Sequence, residues 1–264
     1  MAEEEKKPEH ANATAQSGKD DLLKRKEEIV AFLKKKKAWL VYVIMIAIAW
    51  FGYYIRTRNI PLLGGKWLPD VDSYAFLRYA EYIAAHGQLM ANDVLRYYPF
   101  GFDPRNEFGL LSYVIAYIYK ILHAFNPNAT VVDGAILYPA LSFFVAAIFF
   151  FLFVKKMFNY KAAIVATAFL AVVPAFLYRT MAGVSDKEAL AVAFFFAALY
   201  FYTAAMKSER PTDYIVYALM AGLATGLTGA VWGGVQFLFL TFGMHAISGV
   251  FFNFFKTKQI YAYL

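Results

Sequence analysis

Long apolar runs separated by short polar and basic breaks dominate the chain. Six of them, Ala38–Ile55, Val131–Val154, Ala162–Tyr178, Ala189–Met206, Tyr214–Gly229 and Val231–Phe252, are each near the roughly 20 residues a helix needs to cross a bilayer. The pattern predicts an all-α polytopic membrane protein. One further run, Leu110–Phe125, is shorter and carries Lys120 and His123. The last stretch, Lys256 to Leu264, reads KTKQIYAYL and looks like the first turn of a seventh span. The sequence therefore reads as an N-terminal fragment or as one part of a split protein. Ahead of the first run, Met1 to Gly18 is polar and poor in bulky apolar side chains, which predicts disorder. From Lys19 onward, Leu22, Leu23, Ile29, Val30 and Leu33 share one helical stripe ringed by lysines. This is either a basic amphipathic helix on an anionic leaflet or a solvated charged helix.

Charge sets the topology. Ten of the 26 Lys and Arg residues precede position 38, so the net charge of +7 is a local excess. Such an excess beside a span marks a cytoplasmic membrane flank and not a nucleic-acid surface. Lys34 to Lys37 directly precede the first run, which puts the N-terminus in the cytoplasm. If Leu110–Phe125 does not span, Lys155, Lys156, Lys161, Lys207, Arg210, Lys256 and Lys258 all fall inside; if it spans, all move outside. The charge rule therefore selects six spans plus the start of a seventh, with Leu110–Phe125 an interfacial helix. The division is 1–37 for the cytoplasmic tail and amphipathic helix, and 38–264 for an incomplete membrane domain. Residues 56–130 form a long first external loop with interfacial helices.

Composition excludes several classes. At 61% hydrophobic and 17% charged, the chain is too apolar for a soluble enzyme or a disordered protein. It has no cysteine, which removes disulfides, thiolate metal sites and cysteine nucleophiles. What remains is acidic. The topology puts Asp70-Val71-Asp72 and Asp186-Lys187-Glu188 on the same outer face. Carboxylates at a bilayer edge are costly unless solvated, paired or bound to a metal. Two such pairs on adjacent outer loops can converge on one divalent cation, and hard oxygen ligands favour Mg²⁺ or Mn²⁺. The plain readings stand beside this one. Asp186 lies in a sequence that resembles a capping box running from Ser185 to Glu188. Arg179 is an interfacial anchor or a phosphate ligand, and Arg78 pairs with Asp72 or with Glu81.

WLPDVDSYAFLRYAEYI, RYYPFGFDPRNEFGLL, YRTMAGVSDKEALAV and GAVWGGVQF together resemble the catalytic subunit of oligosaccharyltransferase, and the loop style is similar to archaeal members. WLPDVDSYAFLRYAEYI resembles the first acidic motif, matched at Asp72, Ser73, Tyr74 and Arg78, with Asp70 two residues ahead. YRTMAGVSDKEALAV resembles the second, matched at Arg179, Ala182, Gly183, Asp186 and Glu188, with Thr180 in place of the usual serine. RYYPFGFDPRNEFGLL resembles the middle of the first external loop, and GAVWGGVQF resembles a stretch in which Trp232-Gly233-Gly234 opens a span. The fragments occur in the family's order, over about Lys37 to Leu264.

The resemblance implies the transmembrane fold of the C-type glycosyltransferase superfamily. It implies metal-dependent transfer of an oligosaccharide from a polyprenyl (dolichyl) phosphate or pyrophosphate to Asn in Asn-x-Ser/Thr. Asp72, Asp186 and Glu188 would be the catalytic residues and metal ligands, holding Mn²⁺ or Mg²⁺, with Asp72 also contacting the acceptor amide. Arg179, Asp70, Arg78 and Arg96 would face the substrates, with Arg56 and Arg58 as further candidates. The partners would be the lipid-linked donor, the acceptor polypeptide and the bilayer, with no nucleic acid. The active site would lie on the extracytoplasmic face of the cell membrane. The family's later spans and its W-W-D-Y-G motif are absent from this sequence, so the chain is expected to be inactive alone. Other classes remain open: another lipid-linked sugar transferase of the superfamily, a transporter, or a scaffold in which the acids can be changed singly without consequence. The central spans carry almost no charge, which argues against an ion pathway. Two sequons occur, at Asn12 and Asn128.

Overall fold

A computed structural model describes residues 25–26, 39–107 and 109–263. The expected tail and amphipathic helix therefore lie outside the described residues, apart from residues 25–26. The chain divides after Ile44, and the packing and the site described below lie in the unit from Met45 onward.

The described residues are helical, with one isolated bridge between Asp93 and Phe102. Helix α1 (Trp39–Leu63) loosens at Arg58-Asn59 before its last turn. Then follow α2 (Ser73–His86), α3 (Leu110–Phe125), α4 (Val131–Met157), α5 (Tyr160–Val172), α6 (Pro174–Arg179), α7 (Lys187–Lys207), α8 (Pro211–Gly229), α9 (Gln236–Phe251) and α10 (Thr257–Tyr263). A 3-10 turn at Gly233–Val235 leads into α9.

Among the described residues, four helices are long and apolar enough to cross a membrane: Trp39–Leu63, Val131–Met157, Lys187–Lys207 and Gly233–Phe251. The protein is thus a membrane protein. The run expected as one span over Ala162–Tyr178 is broken. Val173 is extended (φ −60°, ψ 123°) and Pro174 follows, so α5 stops at 13 residues and α6 starts anew. The run Tyr214–Gly229 lies inside α8.

Helix α4 is the pillar. Its 27 residues rise about 40 Å. A capping box starts it: Thr130 N–H donates to Asp133 Oδ2 at 2.8 Å while Asp133 N–H reaches back to Thr130 Oγ1. At the other end Lys207 Nζ donates to the free carbonyl of Lys156 at 2.8 Å. Helix α3 presses close, because a Cβ on Gly134 would sit 2.9 Å from the Ile115 carbonyl oxygen. The α4 and α7 faces are lined by alanines, with Ala146, Ala147, Ala189, Ala191 and Ala193 all buried. Small side chains let backbones approach, which is how membrane helices gain packing energy without a hydrophobic drive. The largest core joins α2, α3, α4 and the start of α7 through Leu77, Ile83, Leu111, Ile115, Ile136, Tyr138 and Leu190.

Candidate functional site

The loop Thr180–Asp186 between α6 and α7 is buried, and backbone bonds to three other elements fix it. Ala182 N–H donates to the Arg56 carbonyl at 2.9 Å, and Gly183 N–H to the Ile136 carbonyl at 2.9 Å. Asn59 Nδ2 donates to the Ala182 carbonyl at 2.8 Å. Gly183 has φ +86°, and a Cβ there would meet Leu63 Cδ1 at 2.8 Å and Pro69 Cδ at 3.0 Å. Only glycine supplies that backbone and that closeness without strain. Ser185 N–H then donates to Ser73 Oγ at 2.9 Å, across 112 residues of sequence. Its hydroxyl donates to the Ala135 carbonyl.

That last bond moves the helix cap. With the Ser185 hydroxyl spent on α4, Asp186 takes the N-cap position of α7, its Oδ1 accepting from Lys187 N–H at 2.7 Å. The expected capping box at Ser185 is therefore replaced by a cap one residue later. Tyr138 completes the start of α7. Its buried hydroxyl donates to the Asp186 carbonyl at 2.6 Å and accepts from Leu190 N–H at 3.2 Å, standing between two groups that would otherwise bond to each other.

The acidic side chains meet in part. Asp186 and Glu188 stand around one arginine. Arg179 Nη1 lies 3.7 Å from Asp186 Oδ2 and 4.0 Å from Glu188 Oε1, beyond hydrogen-bond range, with its side chain half exposed. Glu188 Oε2 is buried with no hydrogen-bond partner. Asp72 precedes the first residue of α2, yet its side chain makes no cap. Asp70 caps instead, Oδ2 accepting from Ser73 N–H and Ser73 Oγ, both at 3.2 Å. Asp70 is thus committed to the helix start and Asp72 is left exposed. Among the described residues, no three acidic or histidine side chains sit close enough to form a ready metal cluster. The Asp186–Glu188 pair nonetheless fits a hard cation, since it offers oxygen donors only and one of them is buried and unused.

The other cations do different work. Arg78 turns from Asp72 and Glu81 to Asp93, which is 1% exposed. Both Asp93 oxygens accept from Arg78, with Tyr79 OH at 2.9 Å and Leu95 N–H at 3.1 Å completing the shell. Arg96 Nη1 donates to Tyr79 OH at 2.8 Å and to Glu107 Oε2 at 2.7 Å, while Nη2 holds Glu107 Oε1 at 2.9 Å. Burial alone would raise the Asp93 carboxyl, but the bonds from Arg78, Tyr79 and Leu95 outweigh it and hold the group below its ordinary range. The hydrogen bonds from Arg96 likewise lower Glu107, against a smaller opposing effect of burial. Arg56 is fully buried, with no exposure for a substrate. Arg58 donates to Tyr54 OH at 2.8 Å. The sequence marks Ser73 only as a motif match and Ser185 only as a helix cap, and it does not single out Asp93 or Tyr138. Asp93 lies 15 residues from Arg78 in irregular backbone, so no spacing signals the pair.

Trp232-Gly233-Gly234 sits beside the same core. Val231 is buried within it and Trp232 packs against it. A Cβ on Gly234 would lie 2.1 Å from the Trp232 ring, so the indole covers that glycine.

Comparison with known proteins agrees with this arrangement. A family model described as the N-terminal part of the oligosaccharyl transferase STT3 matches residues 38–264. The dolichyl-phosphooligosaccharide-protein glycotransferase of Methanococcus voltae is 26% identical over 228 residues, covering 75% of this chain and 25% of the relative. Glycotransferase 1 of Pyrococcus furiosus is 27% identical over 226 residues, covering 81% of this chain and 21% of the relative. The chain thus spans about a quarter or less of the length of these relatives. The fold is that of the Archaeoglobus fulgidus oligosaccharyltransferase AglB solved with an inhibitory peptide and a dolichol-phosphate: TM-score 0.63 at 20% identity, covering 78% of this chain and 25% of that one. With one family model running from the first span to the last residue, the chain belongs to the STT3 oligosaccharyl transferase family.

Proposed function

We propose that this chain forms part of the membrane domain of an oligosaccharyltransferase. It acts in moving an oligosaccharide from a polyprenyl phosphate or pyrophosphate to the Asn of Asn-x-Ser/Thr segments on the extracytoplasmic face. The bond from Ser185 N–H to Ser73 Oγ carries this reading, because it ties the two acidic motifs together at the starts of α2 and α7. The archaeal relatives are named for this transfer, and the neighbour of similar fold was solved with a peptide and a dolichol-phosphate.

In this reading Asp186, Glu188 and Asp72 would hold Mn²⁺ or Mg²⁺. When bound, the ion supplies Lewis-acid stabilisation of charge on the phosphate. The exposed Asp72 carboxylate accepts from the acceptor amide N–H and takes its proton as the amide nitrogen bonds to the sugar anomeric carbon. The bond from that carbon to the carrier phosphate breaks, and the phosphate leaves with the electron pair. Arg179, half exposed and loosely held, turns from the carboxylates to the phosphate. Asp70, Arg78 and Arg96 act from behind, shaping the substrate-facing surface through the bonds already described.

The membrane arrangement follows the charge rule. Residues 1–37 lie in the cytoplasm and 38–264 in the membrane domain. α5 with α6, and α8, join the four longer helices as crossings, giving six, and α3 lies at the interface within the 56–130 loop. Membranes carrying the intact gene should glycosylate a fluorescent Asn-x-Thr peptide, and Asp72→Asn or Asp186→Asn should reduce this at least 100-fold. Full activity in both variants would sink the proposal.

A further inference from the structure

Arg56 is a cation inside the apolar part of the protein with no carboxylate partner among the described residues. It is 0% exposed. Its Nε donates to Thr180 Oγ1 at 2.7 Å, and Nη1 donates to the carbonyls of Gly52 at 2.9 Å and Ala171 at 2.8 Å. The guanidinium carbon lies 3.4 Å from the Phe143 ring centroid. Nη2 is buried and makes no hydrogen bond. Such a residue is costly to keep in a membrane helix, so its contacts must return something.

What it touches is the break between α5 and α6. The extended Val173 turns the chain away, and Pro174 has no N–H to give. The turn at Val173 carries Ala175 N–H, the i+4 donor, away from Ala171 O, and Arg56 supplies a donor in its place. Thr180 closes the other side. It accepts from Arg56 Nε and donates to the Phe176 carbonyl at 2.5 Å, so the α6 turn hangs on one guanidinium. The Arg56 carbonyl also receives Ala182 N–H. One residue therefore holds both ends of the Thr180–Ala182 segment. On one side of that segment is Arg179, and on the other the loop to Asp186 and Glu188.

We infer that Arg56 is a positioning residue for the acidic site: through Thr180 it fixes where Arg179 and the Asp186–Glu188 pair stand relative to each other. It contacts no substrate itself. The planar fork is essential, since a lysine ammonium cannot serve Thr180 and two carbonyls in this geometry. The role rests on the proposed cation-binding reading of the Asp186–Glu188 pair, although the positioning itself is independent of it.

The chain has no cysteine, so one introduced thiol is unique. Tyr178 is 66% exposed, one residue before Arg179. Tyr178→Cys carrying a trifluoromethyl tag, in nanodiscs, gives a ¹⁹F spectrum of the α6 end. Mn²⁺ titration followed by electron paramagnetic resonance reads the carboxylate pair in the same samples. Arg56→Lys and Thr180→Val should each split or broaden the ¹⁹F line and weaken Mn²⁺ binding by about 10-fold or more, as loss of a supporting contact does at metal sites. Thr180→Ser keeps the hydroxyl and should restore both. Thr180→Val preserves side-chain shape, so it remains informative if Arg56→Lys fails to fold. A ¹⁹F line in Thr180→Val identical to that of the parent overturns the inference. A changed line with no Mn²⁺ binding in the parent upholds the positioning role and refutes the cation reading.

Discussion

Replacing Asp93 by Asn tests whether the external loop is held by charge. The Asp93 carboxylate accepts four hydrogen bonds, two from Arg78 and one each from Tyr79 OH and Leu95 N–H. Asn keeps one acceptor oxygen, which still serves Arg78 Nη1 and Leu95 N–H. Its amide NH₂ then faces Arg78 Nη2, donor against donor, and Arg78 loses its counter-charge. Hydrogen bonds to charged groups contribute about 1.5–3 kcal/mol each, and removing one partner of a buried pair costs about 3–5 kcal/mol. Arg78 is 31% exposed and recovers some solvation, so about 3 kcal/mol is expected. The assay is amide hydrogen exchange at Leu95 and Phe102, the latter bonded to the Asp93 carbonyl at 3.1 Å. At pH 7 local opening should become about 100-fold more frequent, following the tenfold-per-1.4 kcal/mol rule. The pH dependence carries its own sign. The folded carboxyl lies below the unfolded value of about 3.9, so its stabilisation is complete above that range and is lost as pH falls through the folded value. The gap between parent and variant should hold from pH 5 to 8 and begin to close only as pH falls below about 4. Exchange rates within twofold of the parent at pH 7 would refute the reasoning.

Three further outcomes follow from the site. Gly183→Ala forces a side chain onto φ +86° against Leu63 and Pro69, and should cost about 1–2 kcal/mol, read as a lower melting temperature. Tyr138→Phe leaves the Asp186 carbonyl and Leu190 N–H without their shared hydroxyl and should cost about 1–3 kcal/mol; an unchanged melting temperature would mean the turn closes on itself. Chelation of divalent ions should abolish peptide glycosylation by membranes carrying the gene, and Mn²⁺ should restore it; transfer that survives chelation argues against the cation.

Much of the helical plan was legible because a membrane helix is written in composition alone. The Leu110–Phe125 helix was read with the bounds it has. The break at Val173-Pro174 was also legible in principle, but its apolar flanks carried the run across it. The side-chain partners were harder to read. Two acids in Asp70-Val71-Asp72 look equivalent in sequence, and only the Ser73 bonds decide which one caps. Arg78 and Arg96 read as substrate-facing because their partners, Asp93 and Glu107, lie in irregular backbone. Such a segment has no period from which a side chain's direction follows. Arg56 entered as a further substrate-facing candidate through the family resemblance alone, and its burial rests on a segment 124 residues away.

Those long separations bear on how the protein is made. Ser73 awaits Ser185, 112 residues later, and Arg56 awaits Thr180, 124 residues later. At about 5–20 residues per second of synthesis, roughly 6–25 s pass between the first partner and the second. During that interval the Arg56 guanidinium has neither the Ala171 carbonyl nor the Thr180 hydroxyl for most of the time, and its long stem lets it stay with the headgroups. Until the loop after α6 arrives, the first helix therefore lacks the contacts that bury its arginine.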